Sequence, residues 1–120
     1  MAIPTNARIL VIEDEALISV MLQETLVALG LVIGGVALST AEALALIEGP
    51  QRFDAATLDI NLQGEIGEAV AYALDARAIP FMVITGYEER DLLPAFQERP
   101  FLPKPFLSDD LFAVLTRLWE

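Results

Sequence analysis

The sequence contains neither cysteine nor histidine in its 120 residues. Without cysteine there can be no disulfide, thiol nucleophile or thiolate ligand, and without histidine there is no imidazole base. The usual ligand sets for zinc and haem are excluded as well. Any chemistry must therefore use carboxylates, hydroxyls, lysine, arginine or the backbone.

Basic residues are also scarce: 7 Lys and Arg stand against 18 Asp and Glu, which gives a net charge of −11. Nucleic acids and anionic lipids attract basic surfaces, so neither is an expected partner. The longest uncharged stretch, residues 25–41, contains three glycines and is shorter than the about 20 apolar residues of a membrane-spanning helix. The N-terminus has no basic and apolar leader, and we expect a cytoplasmic protein.

Hydrophobic residues make up 55% of the chain and charged residues 21%, which are proportions typical of a globular protein with a well-filled core. The length is close to that of one ordinary domain. We therefore expect residues 1–120 to form a single domain, without a second, effector domain.

Apolar runs and helical periodicities alternate along the chain. The predicted strands are residues 8–12, 31–38, 53–58, 80–84 and 101–102. The predicted helices are residues 16–29, 39–49, 68–78, 88–99 and 108–119, and Gly30 is the expected end of the first. Residues 61–67 are predicted to form a polar loop. Ser39 with Glu42 is a capping-box pattern, Ser108 is the expected cap of the last helix, and Pro94 weakens the fourth.

This alternation of strands and helices predicts an α/β fold, with a parallel sheet covered by helices on both faces. In such sheets the functional crevice lies at the carboxyl ends of the strands. Polar residues stand at four of these ends: Glu13 and Asp14, Asp59, Thr85, and Lys104. Three converging carboxylates need a cation, and Mg²⁺ prefers such oxygen ligands. Lys104 and Thr85 would suit a phosphoryl group on one carboxylate.

Each of these residues also has an ordinary structural explanation. Asp14 could cap the first helix, and Asp59 could be a common residue of a strand-to-loop junction. Thr85 could be a cap beside a glycine, and Lys104 a solvated loop cation. Their joint position at four different strand ends favours a site.

The sequence resembles the receiver domains of two-component response regulators. The resemblance rests on the segments VIEDE at 11–15, LDINL at 58–62, ITG at 84–86 and KPF at 104–106, and it covers essentially the whole chain. It implies a doubly wound, flavodoxin-like sheet of five strands in the order 2-1-3-4-5, with five helices.

The resemblance also implies a role for individual residues. Asp59 would be the phosphoacceptor, and the Mg²⁺ ligands would be Asp14, Asp59, Glu13 through water, and the Asn61 carbonyl. Thr85 and Lys104 would bind the phosphoryl group, Phe101 would be the aromatic switch, and Lys104-Pro105 would be a cis bond. Asn61 and Tyr87 would border the path of the hydrolytic water and set the phosphoryl lifetime.

Two features narrow the assignment. The family commonly has a proline four residues after the phosphoacceptor, where this chain has Gln63. The segment PFMVITGY at 80–87 is similar to an alphaproteobacterial subgroup with a Phe-Ala-Thr-Gly-Tyr motif, although Val83 and Ile84 replace its first two residues. Receivers of that subgroup often stand alone and are linked to general stress signalling.

We therefore expect a receiver that accepts phosphate from a sensor histidine kinase or phosphotransfer protein and hydrolyses it slowly, and that is not otherwise an enzyme. Output would pass from the surface of helix four, strand five and helix five to an unknown downstream protein, from a monomer or a weak phosphorylation-dependent dimer. One alternative is a pseudo-receiver that binds proteins without phosphorylation. Another is a flavodoxin-like enzyme or carrier, which the lack of a phosphate-binding loop after strand one disfavours.

Overall fold

The computed structural model describes residues 3–86 and 92–119. Its strands are β1 (Arg8–Ile12), β2 (Val32–Ala37), β3 (Ala55–Asp59), β4 (Asn61–Leu62), β5 (Glu65–Ile66), β6 (Phe81–Thr85) and β7 (Phe101–Pro103). The α-helices in these ranges are α1 (Ala16–Ala28), α2 (Thr40–Glu48), α3 (Glu68–Ala76) and α4 (Ser108–Thr116).

The main sheet contains five of these strands in the order β2-β1-β3-β6-β7. All neighbouring pairs in it are parallel. Counted along the chain, these strands follow the predicted order 2-1-3-4-5, so the predicted flavodoxin-like α/β class is confirmed. Because the strands are parallel, their carboxyl ends all lie along one edge of the sheet.

The sheet separates two hydrophobic cores, as expected when side chains alternate between its faces. In β1, Ile9 and Val11 pack in one core with residues of α1 and α4, such as Leu22 and Leu111. Leu10 lies in the other core with residues of α2 and α3. The continuous apolar runs of the sequence are therefore strands buried on both faces.

The predicted signals at the ends of the first two helices are confirmed. Gly30 follows α1 with φ of 90°, a left-handed conformation that glycine adopts without strain. The Ser39 hydroxyl accepts a hydrogen bond from the backbone N–H of Glu42 at 3.1 Å. The Glu42 carboxylate in turn accepts from the N–H of Leu38, the residue before the cap, at 2.8 Å.

The last two predicted helices need correction. Of residues 88–99, those from 92 onward form only a three-residue 3₁₀ turn, Pro94–Phe96, because Pro94 cannot donate the hydrogen bond of a helix interior. Residues 88–91 lie outside the described residues. Ser108 is not a cap but the first residue of α4, where Asp110 accepts from the N–H of Leu107 at 3.1 Å. The helix ends at Thr116 and continues only as a 3₁₀ turn.

The segment predicted as a polar loop, residues 61–67, instead forms a small antiparallel hairpin of β4 and β5. Its two turn residues, Gln63 and Gly64, have φ of 53° and 84°. Two successive positive φ values are the geometry that closes a two-residue hairpin. Glutamine at the first of these positions is an uncommon signal, which is why the sequence did not predict the hairpin.

None of the helices in residues 3–86 and 92–119 has the length and apolar character that crossing a membrane requires.

Candidate functional site

The carboxyl ends of β1, β3, β6 and β7 border a cleft of about 350 Å³. The four strand ends bring together the residues that the sequence singled out: Glu13, Asp14, Asp59, Thr85 and Lys104. Glu13, Asp59 and Thr85 are buried, although polar residues of these types are rarely found in a protein interior. At the base of the cleft the fold therefore shields these three polar side chains from water.

Three carboxylates form the acidic part of this cleft. Each of Glu13, Asp14 and Asp59 has an oxygen atom within 4.8 Å of the others. At such distances the negative charges repel each other strongly when they are shielded from water. Closely spaced oxygen ligands of this kind fit a hard divalent cation such as Mg²⁺.

Lys104 supplies positive charge to the cluster. Its ammonium nitrogen lies 3.0 Å from Oε1 of Glu13 and 3.1 Å from Oδ2 of Asp59. Only 18% of the lysine side chain is exposed, so it is not the solvated loop cation of the alternative interpretation. One lysine thus stands between two buried carboxylates.

The pKa values of Glu13, Asp59 and Lys104 are all raised, because two buried carboxylates share one lysine. Burial, together with the neighbouring Asp59, raises the pKa of Glu13 to about 8. Burial also raises the pKa of Asp59, although hydrogen bonds from Glu13 and Lys104 oppose this effect. Burial by itself would lower the pKa of Lys104, but the two carboxylates outweigh it and the pKa is raised. Burial therefore makes it unfavourable for Glu13 and Asp59 to be ionised together, and Lys104 can neutralise only one of the two charges.

The β4–β5 hairpin contacts two of the acids through its backbone. The N–H of Asn61 donates to Oδ1 of Asp59 at 3.2 Å, and the N–H of Gln63 donates to Oδ2 of Asp14 at 2.9 Å. Although burial acts in the opposite direction, the Gln63 hydrogen bond lowers the pKa of Asp14. Asp14 does not cap α1, because the residue at that position is Glu15.

Thr85 is the last residue of β6, and its carbonyl accepts a hydrogen bond from the N–H of Lys104 at 2.9 Å. The peptide bond between Lys104 and Pro105 is cis, as the resemblance implied. Phe101 begins β7 and packs, partly buried, against the core on the α2 and α3 face. A short strand thus links the site to the position of the predicted aromatic switch.

The sequence also predicted roles for Asn61 and Tyr87. Asn61 is exposed and lines the cleft, next to Asp59. Tyr87, predicted to affect the phosphoryl lifetime, lies outside the described residues.

Sequence reasoning assigned no role to two further groups of the site. Glu15 lines the cleft, and its Oε1 lies 3.6 Å from the Lys104 nitrogen. The acidic run of residues 13–15 was the available signal for it. The backbone N–H of Gln63, by contrast, has no signal in the sequence, because every non-proline residue carries the same group.

Comparisons with known proteins agree with this geometry. The family model of the response regulator receiver domain matches residues 9–116. The Phyllosphere-induced regulator PhyR of Methylorubrum extorquens is 36% identical over 112 residues, which cover 91% of this chain and 42% of PhyR. The chain spans about half the length of the curated relatives it matches.

Solved structures show the same similarity. The solution structure of SdrG from Sphingomonas melonis has a TM-score of 0.83 and 40% identity, covering 98% of this chain and 100% of that one. A variant of the anti-anti-sigma factor PhyR from Bartonella quintana has a TM-score of 0.80 and 29% identity, covering 93% of this chain and 48% of that one. With its family match from β1 to α4, its sheet order and its acidic strand ends, this chain belongs to the response regulator receiver domains.

Proposed function

We propose that this protein accepts a phosphoryl group on Asp59. The observation that carries the proposal is the position of this carboxylate, buried at the end of β3, 3.1 Å from the Lys104 nitrogen and facing a cleft. A structural aspartate at the end of a strand would not need two further carboxylates beside it. A phosphoacceptor would, because the additional acids can hold a cation.

We propose Mg²⁺ as that cation, held by Asp14, Asp59 and the Asn61 carbonyl, with Glu13 acting through water. The three carboxylates of this donor set fit, since their hard oxygen atoms lie within 4.8 Å of one another. When bound, Mg²⁺ would reduce the negative charge that accumulates on the phosphoryl oxygens.

The proposed reaction is transfer from a phosphohistidine. A carboxylate oxygen of Asp59 bonds to phosphorus while the bond from phosphorus to the histidine nitrogen breaks, and the electron pair remains on that nitrogen. Lys104 neutralises one phosphoryl oxygen, and the Thr85 hydroxyl donates to another. Water later cleaves the acyl phosphate, giving inorganic phosphate and restoring Asp59. We propose that Asn61 and Tyr87 set the lifetime of this acyl phosphate.

The signal would pass to another protein in the cytoplasm. Phosphorylation draws Thr85 towards the phosphoryl group, and Phe101 moves into the space that becomes free. This changes the surface formed by β7, α4 and the 3₁₀ turn Pro94–Phe96, which stands in the predicted helix-four region. We propose that residues 1–120 act as one receiver domain, as a monomer or a weak phosphorylation-dependent dimer, with a sensor histidine kinase or phosphotransfer protein upstream.

The downstream partner is proposed to belong to sigma-factor regulation in the general stress response. The similarity to a PhyR described as an anti-anti-sigma factor supports this part of the proposal.

Treatment with acetyl phosphate and Mg²⁺ tests the phosphoacceptor. Mass spectrometry should find one phosphoryl group on the wild type and none on Asp59→Asn. Asp54→Asn makes the same change at the other end of β3 and should be labelled like the wild type. Labelling of Asp59→Asn would contradict the site assignment. A wild type that takes no label from acetyl phosphate or from kinase would favour the pseudo-receiver.

A further inference from the structure

The β4–β5 hairpin, residues 61–66, forms backbone hydrogen bonds to two of the three clustered carboxylates. Asn61 donates to Asp59 at 3.2 Å, and Gln63 donates to Asp14 at 2.9 Å. Asp14 follows β1 and Asp59 ends β3, so the hairpin joins the ends of two neighbouring strands. The relative position of the two carboxylates therefore depends on the shape of the hairpin.

That shape is determined by local features of the chain. Leu62 is fully buried in the core beside Leu58, and the N–H of Gly67 donates to the Ile60 carbonyl at 2.8 Å, which fixes both ends of the hairpin. Between them, Gln63 and Gly64 have positive φ values of 53° and 84°. This turn directs the N–H of Gln63 back towards Asp14.

We propose that the backbone N–H of Gln63 is a positioning group for the metal site, holding Asp14 at the distance from Asp59 that Mg²⁺ requires. The inference rests on the proposed Mg²⁺ site. It adds a role for the turn in place of the proline that the family commonly has at this position.

This role makes an unusual demand on residue 63. Proline has no N–H and fixes φ near −65°, so it can neither donate to Asp14 nor adopt the φ of 53° found here. Alanine keeps both the N–H and the ability to form the turn. Proline, the residue that the family commonly has at this position, should therefore weaken Mg²⁺ binding in this chain. Alanine should leave it unchanged.

The proposal also predicts a change in metal selectivity. Mg²⁺ demands nearly ideal octahedral geometry, whereas Ca²⁺ tolerates irregular and variable ligand arrangements. If Asp14 is no longer held, Mg²⁺ affinity should fall more than Ca²⁺ affinity. A simple loss of stability would instead weaken both ions equally.

The test compares Gln63→Pro with Gln63→Ala in separate calorimetric titrations with Mg²⁺ and Ca²⁺, after circular dichroism has shown that each variant is folded. Loss of a hydrogen bond to a metal-binding side chain typically costs 10-fold to 100-fold in affinity. We expect Gln63→Pro to bind Mg²⁺ at least about tenfold more weakly, with a smaller loss for Ca²⁺. Gln63→Ala should bind both ions like the wild type.

If Gln63→Pro does not fold, Gly64→Ala replaces it. An added Cβ meets open space there, but φ of 84° strains alanine and displaces the turn. It should also weaken Mg²⁺ more than Ca²⁺.

Wild-type Mg²⁺ affinity in the folded proline variant, or in Gly64→Ala, would overturn the inference while leaving the proposed site intact. Equal losses for the two ions would overturn it too. A wild type that binds no Mg²⁺ would instead contradict the proposed site itself.

Discussion

The two ends of strand β3 each carry an aspartate, in opposite surroundings. Asp54, just before the strand, accepts a hydrogen bond from the backbone N–H of Arg8 at 2.8 Å and lies 3.5 Å from the Arg52 guanidinium. The Arg8 side chain also donates to the Arg52 carbonyl at 3.1 Å. At this end the Asp54 carboxylate is stabilised by a hydrogen bond and a nearby positive charge. The contacts also connect β1 to the start of β3.

At the other end, Asp59 lies among more negative than positive groups. Glu13 and Asp14 are its neighbours, and Lys104 is shared with Glu13 and, at 3.6 Å, with Glu15. A fold selected only for stability would not bury such a cluster, because unpaired buried charge is costly. The same residue type is thus paired with hydrogen-bond donors and a guanidinium at one end, and at the other it lies among like charges, where we propose the phosphoryl group to bind.

The largest expected difference between the ends appears in the pH dependence of stability. Because the pKa of Glu13 rises from 4.5 to about 8 on folding, the folded state keeps a proton that the unfolded state releases. Between about pH 5 and 8 the free energy of unfolding should therefore fall as pH rises, by about 3–4 kcal/mol. Urea titrations at several pH values without divalent ions would measure this.

Glu13→Gln is the matched variant for that prediction, because it removes the titrating group and keeps its size. Its free energy of unfolding at pH 8 should exceed that of the wild type, and its decline across the same pH window should be smaller. A variant with the full wild-type slope would show that Glu13 is not the responsible group.

A smaller effect is expected at the Asp54 end. Asp54→Ala leaves the partly buried N–H of Arg8 without its acceptor and should lower the free energy of unfolding by about 1.5 kcal/mol. Asp54→Asn should cost much less, since the amide oxygen can still accept. If both variants lose the same stability, charge rather than hydrogen bonding would be what matters at this end too.

Much of the fold and most of the site follow from the sequence. Apolar runs locate the five strands of the main sheet, and parallel order then forces Asp14, Asp59, Thr85 and Lys104 to one edge. Both inferences rest on side-chain type and spacing, which the sequence displays directly.

The remaining features depend on the backbone. The hairpin requires a positive φ at Gln63, and its grip on Asp14 uses an N–H that residue identity does not reveal. The segment from Leu92 onward has helical apolar spacing, yet tertiary packing buries Leu92 and Phe96 around a 3₁₀ turn instead. Pro94 was the sequence signal that a helix would be weakened there, but it did not predict the 3₁₀ turn.

The smallest effect is expected midway between the two ends, at Thr57. This residue is fully buried in β3 between Val11 and Met82, and its hydroxyl has no hydrogen-bond partner among residues 3–86 and 92–119. A buried hydroxyl without a partner loses its hydration and gains nothing in return. Thr57→Val, which keeps the branched shape, should therefore raise the free energy of unfolding by about 1 kcal/mol at every pH. Urea denaturation at pH 5 and 8 checks both parts: a gain at only one pH would couple Thr57 to the Glu13 and Asp59 cluster, and a loss would mean that its hydroxyl is bonded in solution.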